Sequence, residues 1–171
     1  IAASLTVAAL ASAQDMAANV TGGGATLPAA LYKGSSNSIL PTNFSYVGTG
    51  SGTGKTAFLT NNSALFSTTG SVHFAGSDSI LSASEISTYN ANFGASYGPL
   101  IQLPSVATSV AIPYKKSGQT ALNLTSAQLC DAFSGAKTTW GDLLGTSDTT
   151  PIRVVYRNVS SGTTEILTRH L

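Results

Sequence analysis

Short apolar runs alternate with turns of small polar residues along most of this chain. Asn19-Val20-Thr21, Phe44-Ser45-Tyr46-Val47 and Val72-His73-Phe74-Ala75 are rich in β-branched and aromatic residues and predict strands. A fourth run of this kind is Ile152-Arg153-Val154-Val155-Tyr156. The first runs into Gly22-Gly23-Gly24-Ala25-Thr26-Leu27-Pro28, whose glycines permit a sharp turn. Thr26 is expected to be an N-cap there, and Pro28 to sit in the first turn of a helix that continues to Lys33 and breaks at Gly34-Ser35-Ser36-Asn37. The second run leads into Gly48-Thr49-Gly50-Ser51-Gly52-Thr53-Gly54-Lys55-Thr56, with a helix expected from Ala57-Phe58-Leu59. The third ends in Gly76-Ser77-Asp78-Ser79. Two capping boxes, Ser82-Ala83-Ser84-Glu85 and Thr125-Ser126-Ala127-Gln128, mark further helix starts. Gly135 stops the second of these helices, and Thr138 to Leu144 predicts a short helical turn. Leu100 to Pro113 reads as extended, and Thr164 to Leu171 as helix. Strands, turns and helices in this order predict an α/β fold with a mainly parallel sheet, whose ligands bind beyond the carboxyl ends of the strands.

Composition narrows the class. The chain is 42% apolar, enough to bury a core, but only 9% charged, against roughly 25% in ordinary soluble domains. Its net charge is +1 and its basic residues do not cluster beyond Lys115-Lys116. That argues against nucleic acid as a partner, which needs a concentrated cationic face. A polar but weakly charged surface is the habit of exported proteins. Ile1 to Ala13 agrees, being an apolar run that closes on Ala11-Ser12-Ala13 like a signal peptide. Residues 1–18 are therefore expected to be a partial signal peptide, the alternative being a buried N-terminal helix. No later run is long enough to cross a bilayer. The absence of an initiator Met and a helix still running at Thr168-Arg169-His170-Leu171 lead us to expect part of a longer protein. Cys130 is the single cysteine, either a thiol without its partner or a small core residue. Two His and one Cys do not make a standard zinc site, so neither a metal nor a cofactor is expected. Asn-x-Ser/Thr sequons at Asn19, Asn43, Asn61, Asn123 and Asn158 matter only in a host that glycosylates them.

The richest candidate chemistry lies in Arg157-Asn158-Val159-Ser160-Ser161-Gly162-Thr163-Thr164-Glu165. A strand end, a turn of hydroxyl residues and a helix start place unpartnered amides and a positive dipole end together. Arg157 adds a planar cationic fork suited to phosphate or carboxylate. This is the wall of an oxyanion pocket. Gly54-Lys55-Thr56 invites a P-loop reading, but the opening glycine of that motif falls on Thr49. The slip matters, because the spacing sets the curvature that wraps a phosphate. Gly52-Thr53-Gly54-Lys55-Thr56-Ala57 fits a dinucleotide fingerprint only loosely. It lacks the acid about 20 residues on that would take a ribose. For covalent catalysis, Ser161 lacks a nucleophile elbow, His73 sits inside a predicted strand, and the acids are not paired for glycoside hydrolysis.

Taken in order, Gly22 to Pro28, Gly48-Thr49-Gly50-Ser51-Gly52, Ala75-Gly76-Ser77-Asp78 and Arg157 with Ser161-Gly162-Thr163 resemble the high-affinity phosphate-binding proteins of bacterial phosphate ABC transporters. Thr21 to Pro28 and Pro104 to Pro113 look closest to the DING branch of that family. The resemblance implies a two-lobed periplasmic-binding-protein fold of type II, of which this chain is the N-terminal half. Residues 19–108 would then begin the first lobe. Residues 109–171 would hold the hinge crossing, around Val106 to Pro113, and the start of the second lobe.

The resemblance also implies a monomeric, exported protein that captures hydrogen phosphate and passes it to an ABC permease without covalent chemistry. Two other roles stay open: a secreted phosphatase or phosphotransferase, and an extracellular adhesion protein. Carried onto this chain, the phosphate ligands are Thr26, Leu27, Ser51, Asp78, Arg157, Ser161, Gly162 and Thr163, with no metal. Asp78 would accept the proton of hydrogen phosphate and stand unpaired against sulfate, unless it merely caps its turn. Relatives often carry an acid two residues after the arginine; here that position is Val159.

Overall fold

The computed structural model describes residues 18–34 and 37–171. The expected signal peptide falls almost wholly outside them. In chain order the elements are β1 (Val20–Gly24), α1 (Ala29–Lys33), β2 (Phe44–Gly48), α2 (Ser51–Leu59), β3 (Phe74–Gly76), α3 (Ala83–Tyr89), α4 (Ala95–Tyr97), α5 (Ser126–Ser134), α6 (Trp140–Leu144) and α7 (Gly162–His170). A 3₁₀ turn at Ser63–Phe66 follows α2, and a π-helical turn at Asn90–Gly94 joins α3 to α4.

The three strands form one parallel sheet in the order β2-β1-β3, as the alternation of elements predicts. They end level, with Gly24 opposite both Gly48 and Gly76. This corrects the reading of Gly22 to Gly24 as a turn, because these residues are the second half of β1. Packing explains why they are glycines. A Cβ on Gly22 would lie 2.3 Å from the Phe74 ring, and one on Gly24 would lie 2.2 Å from the Gly76 carbonyl oxygen. α2 then packs tightly against the end of the central strand, since a Cβ on Gly54 would be 2.5 Å from Gly24 Cα. Ala57, Phe66 and Val72 are buried together under α2, with Phe58 beside them. Phe58 stacks on Tyr89 of α3 at 5.6 Å between centroids. Elsewhere Tyr46 meets Tyr32 edge-on at 4.9 Å and stacks on Phe74 at 6.0 Å.

Local signals set the helix starts well. Both capping boxes form, Ser82 with Glu85 and Thr125 with Gln128. Gly135 closes α5 in the left-handed region at φ 79°, and Thr139 caps the short α6. Three expectations need correction. Thr26 does not cap α1; the residue in that position is Pro28, which donates no amide and offers no side-chain bond. α2 begins at Ser51, six residues before Ala57, because the glycines of that stretch are packed instead of turning freely: Gly54 lies against Gly24 and Gly52 against Ser160. The run Ile152 to Tyr156 is extended but joins no sheet among the described residues, where only Pro151 bridges Thr139. Apolar, β-branched sequence favours an extended backbone, yet a strand also needs a neighbour to take its amides. Val155 and Tyr156 are accordingly exposed, as are Ile101 and Leu103 in the extended Leu100 to Pro113 stretch.

The expected strand Val72 to Ala75 is shorter than read: β3 starts at Phe74, and His73 just before it has a structural part. Its amide donates to the Thr21 carbonyl at 2.8 Å, and its Nδ1 accepts the Thr21 amide at 3.0 Å. Cys130 is a half-buried free thiol on α5.

Around α6, Lys116 pairs with Asp148 and lies over the Trp140 ring at 5.7 Å. The Lys116 bond, then Thr150, holds the Asp148 carboxyl well below the usual carboxylate range. A depressed folded value means that the pair stabilises above the unfolded pKa, near 4, and is lost as pH falls through the folded value. Thermal melts of Lys116→Met should show a lower midpoint at pH 7 and a shallower fall between pH 5 and pH 3. A fall as steep as in the parent would show that this pair does not set the acid response.

Candidate functional site

The level ends of β1, β2 and β3 place three turns side by side, and the N-terminus of α7 closes on them. The Gly50 amide donates to the Gly24 carbonyl at 2.7 Å, and the Ala25 amide to the Gly76 carbonyl at 2.8 Å. These bonds tie the turns after β1, β2 and β3 into one rim. Gly50 takes φ 94°, a conformation that a side chain resists; it lets the chain leave β2 and start α2 at Ser51 at once. Tyr46 donates its hydroxyl to the Ala25 carbonyl at 2.7 Å. Burial, with Tyr32 and Asp78 nearby, pushes this phenol above its ordinary range, so it stays a neutral donor.

Ser51 is buried at the start of α2. Its Oγ accepts the Asp78 amide at 3.1 Å, which leaves its proton free to donate elsewhere. Ser161 caps α7 by accepting the Thr164 amide at 3.4 Å, so its proton is free in the same way. Thr163 donates its hydroxyl to Asp78 Oδ2 at 2.8 Å. That bond joins α7 to the turn after β3 and leaves Asp78 Oδ1 without a protein donor among the described residues.

Gly162 is buried between these groups. A Cβ there would lie 2.7 Å from Ser51 Oγ and 2.9 Å from Asp78 Cβ. Next to it, a Cβ on Gly52 would lie 2.2 Å from Ser160 Oγ. The N-terminal turns of α2 and α7 therefore touch through glycine and serine. The first amides of both helices lack intrahelical acceptors, and both dipoles put partial positive charge at this contact. Arg157 brings its guanidinium to the same rim, with Nη2 3.6 Å from where Gly50 would carry a Cβ. Among the described residues Arg157 makes no ion pair. Val159 is exposed and offers it no acceptor.

All the residues picked out from sequence thus fall at one edge of the molecule. Ser51, Asp78, Gly162 and Thr163 are in direct contact, Ser161 caps the same helix start, and Arg157 sits over Gly50. Thr26 packs its methyl 3.3 Å from where Gly48 would carry a Cβ. Leu27 is about half exposed and lines, with Asp78 and Thr163, a cavity of about 1230 Å³ under the extended Leu100 to Pro113 stretch. Most of that cavity is apolar and far larger than an oxyanion; only the corner at Asp78 carries this chemistry. Among the described residues no group of at least three His, Cys, Asp or Glu side chains could hold a metal ion.

Sequence reasoning missed two features. Thr49 Oγ1 is buried with no hydrogen-bond partner. Lys55, rejected as a P-loop lysine on spacing, turns to carboxylates instead, lying 3.2 Å from Glu85 and 3.8 Å from Glu165. No local pattern could show that pairing, because its three members come from distant helices.

A PBP superfamily domain model matches residues 9–171. Over the whole chain the sequence is 76% identical to a Pseudomonas aeruginosa PAO1 protein named alkaline phosphatase L, of which it spans 46%. The crystal structure of a phosphate binding protein from Stenotrophomonas maltophilia is 62% identical, with a TM-score of 0.80 over 90% of this chain and 42% of that one. A high affinity periplasmic phosphate-binding protein, PfluDING, solved with bound phosphate, is 52% identical, with a TM-score of 0.77 over 88% of this chain and 41% of that one. The chain therefore spans under half the length of these relatives. The family resemblance read from the four turns and the α/β class are borne out.

Proposed function

The chain belongs to the PBP superfamily, and from that premise we propose that it supplies part of an exported protein that captures hydrogen phosphate for uptake. In this reading residues 19–108 begin one lobe, the stretch around Val106 to Pro113 crosses the hinge, and residues 109–171 begin the other. The protein works as a monomer in the periplasm or outside the cell and delivers phosphate to an ABC permease. It performs no covalent step.

One observation carries the proposal: a carboxylate, Asp78, stands inside a cradle otherwise built for an anion. The Ser51 and Ser161 hydroxyls, the free amides of α2 and α7 and the Arg157 guanidinium all favour negative charge. The Thr26 and Leu27 segment adds donors from the turn after β1. A carboxylate in such company repels an anion unless the anion brings a proton. Hydrogen phosphate does, and Asp78 Oδ1 is free to accept it while Oδ2 is held by Thr163. Sulfate has no such proton at neutral pH, so it meets an unpaired acceptor. That PfluDING was solved with phosphate bound supports phosphate as the ligand.

Calorimetry of the full-length protein with phosphate, arsenate and sulfate tests this. Phosphate and arsenate should bind and sulfate should not. In Asp78→Asn the preference for phosphate over sulfate should shrink by at least about tenfold, equivalent to about 1.4 kcal/mol, mainly through a gain in sulfate affinity. Parent protein that takes sulfate as tightly as phosphate would overturn the role of Asp78.

The name of the 76% identical relative favours a second reading, phosphomonoester hydrolysis in the same cradle. Steady release of phosphate from a phosphomonoester, lost in Asp78→Asn, would establish it. Tight phosphate binding without turnover would leave capture as the function.

A further inference from the structure

Lys55 takes no part in the phosphate cradle, yet its side chain is largely buried and joins three helices. Its ammonium lies 3.2 Å from Glu85 Oε1 on α3 and 3.8 Å from Glu165 Oε2 on α7. Each carboxylate divides its oxygens in the same way. Glu85 gives Oε2 to the Ser82 amide at 2.7 Å, inside its own capping box, and turns Oε1 to Lys55. Glu165 gives Oε1 to Arg169 at 2.8 Å, one turn along α7, and turns Oε2 to Lys55. Burial alone would raise the Glu85 carboxyl, but the Ser82 amide and hydroxyl and Lys55 together lower it. The Ser79 hydroxyl, with Lys55 and Arg169, lowers Glu165.

The register makes the arrangement purposeful. Ser51 meets Gly162 in the first turn of α2 and α7, and one turn further on Lys55 meets Glu165. Two helix N-termini in contact repel each other through their positive ends. A bound anion cancels that repulsion. Without the anion, something else has to keep the two sets of free amides together. We infer that Lys55 is a positioning residue: by pairing with Glu165 while Glu85 holds it from the side of α3, it docks the α7 N-terminus onto α2 and so slows phosphate release. This rests on the phosphate reading above. Lys55 itself never touches the ligand, and the pair acts on residence time more than on encounter.

Stopped-flow release of phosphate from the full-length protein tests it, with hydrogen exchange of the α7 amides in phosphate-free protein as a ligand-independent arm. Lys55→Met and Glu165→Gln should each speed release about three- to tenfold with little change in association rate. The double variant should be no faster than the faster single, because both remove one interaction. Lys55→Arg should keep release slow. Exchange of the hydrogen-bonded α7 amides, from Glu165 onward, should rise in Lys55→Met and Glu165→Gln but not in Lys55→Arg. Release and exchange unchanged in both single variants, or additive effects in the double, would overturn the inference. Parent protein that fails to bind phosphate would overturn the functional reading instead, and the exchange arm would still decide whether Lys55 docks α7.

Discussion

Arg157→Ala in the full-length protein is expected to weaken phosphate binding by about 10²- to 10³-fold, or about 3–4 kcal/mol. The size follows from what else faces the ligand. The cradle otherwise offers hydroxyls and helix amides, which carry only partial charge, and among the described residues no other cation is shown on its rim. Lys55 is committed to Glu85 and Glu165. Removing Arg157 therefore leaves a doubly charged anion without its one full counter-charge. Lysine in its place should recover only part of the loss, because a point charge cannot give the paired, planar contacts of a guanidinium. Titration calorimetry reads both variants. An unchanged dissociation constant in Arg157→Ala would remove Arg157 from the site. Among the described residues no carboxylate pairs with this arginine, and Val159 stands two residues on.

Gly162→Val should do at least as much damage by a purely steric route, with a loss of phosphate affinity of at least about 10²-fold. Even a single Cβ at this position would come within 2.7 Å of Ser51 Oγ and 2.9 Å of Asp78 Cβ, where carbon contacts ordinarily settle near 3.5–4.0 Å. Rotating Ser51 away would break its bond from the Asp78 amide, and the Asp78 Cβ has nowhere to rotate. The start of α7 must therefore back away from α2. That separates the two sets of amides and pulls Thr163 off Asp78. Gly162→Ala should show a smaller loss in the same direction while slightly favouring the helix itself. An affinity loss well beyond what any fall in melting temperature accounts for is the expected signature. Full affinity in Gly162→Val would show that the close contact of α2 and α7 is not needed for binding.

How much of this could be read beforehand depended on the range of the interaction involved. Both capping boxes, the αL glycine after α5 and the strand-turn-helix rhythm lie within a few residues of each other, so the sequence displays them directly. The four turns were readable too, because a tight turn that frees backbone amides requires glycine, serine and threonine whatever surrounds it. Roles that depend on a neighbour were read less well. The glycines of β1 looked like a turn, because their reason for being glycine is the ring of Phe74 and the backbone of Gly76. The run Ile152 to Tyr156 looked like a strand, because its apolar residues favour extension while saying nothing of which strand would accept its amides. Thr26 looked like a cap, and Pro28 took that place. Lys55 looked like a failed phosphate ligand, since the carboxylates that claim it sit on helices distant in sequence.

The sequence by itself determined the class of fold, the positions of the turns and the kinds of groups they carry, since short-range sterics and hydrogen bonding decide these. Only the tertiary structure decided that β1, β2 and β3 end level, that Gly162 lets α7 rest against Ser51 and Asp78, that Thr163 occupies one oxygen of Asp78 and leaves the other, and that Lys55 joins three helices beside the cradle. Each of these is a relation between segments far apart along the chain, and packing across the sheet edge is what brings those segments within a few ångströms of each other.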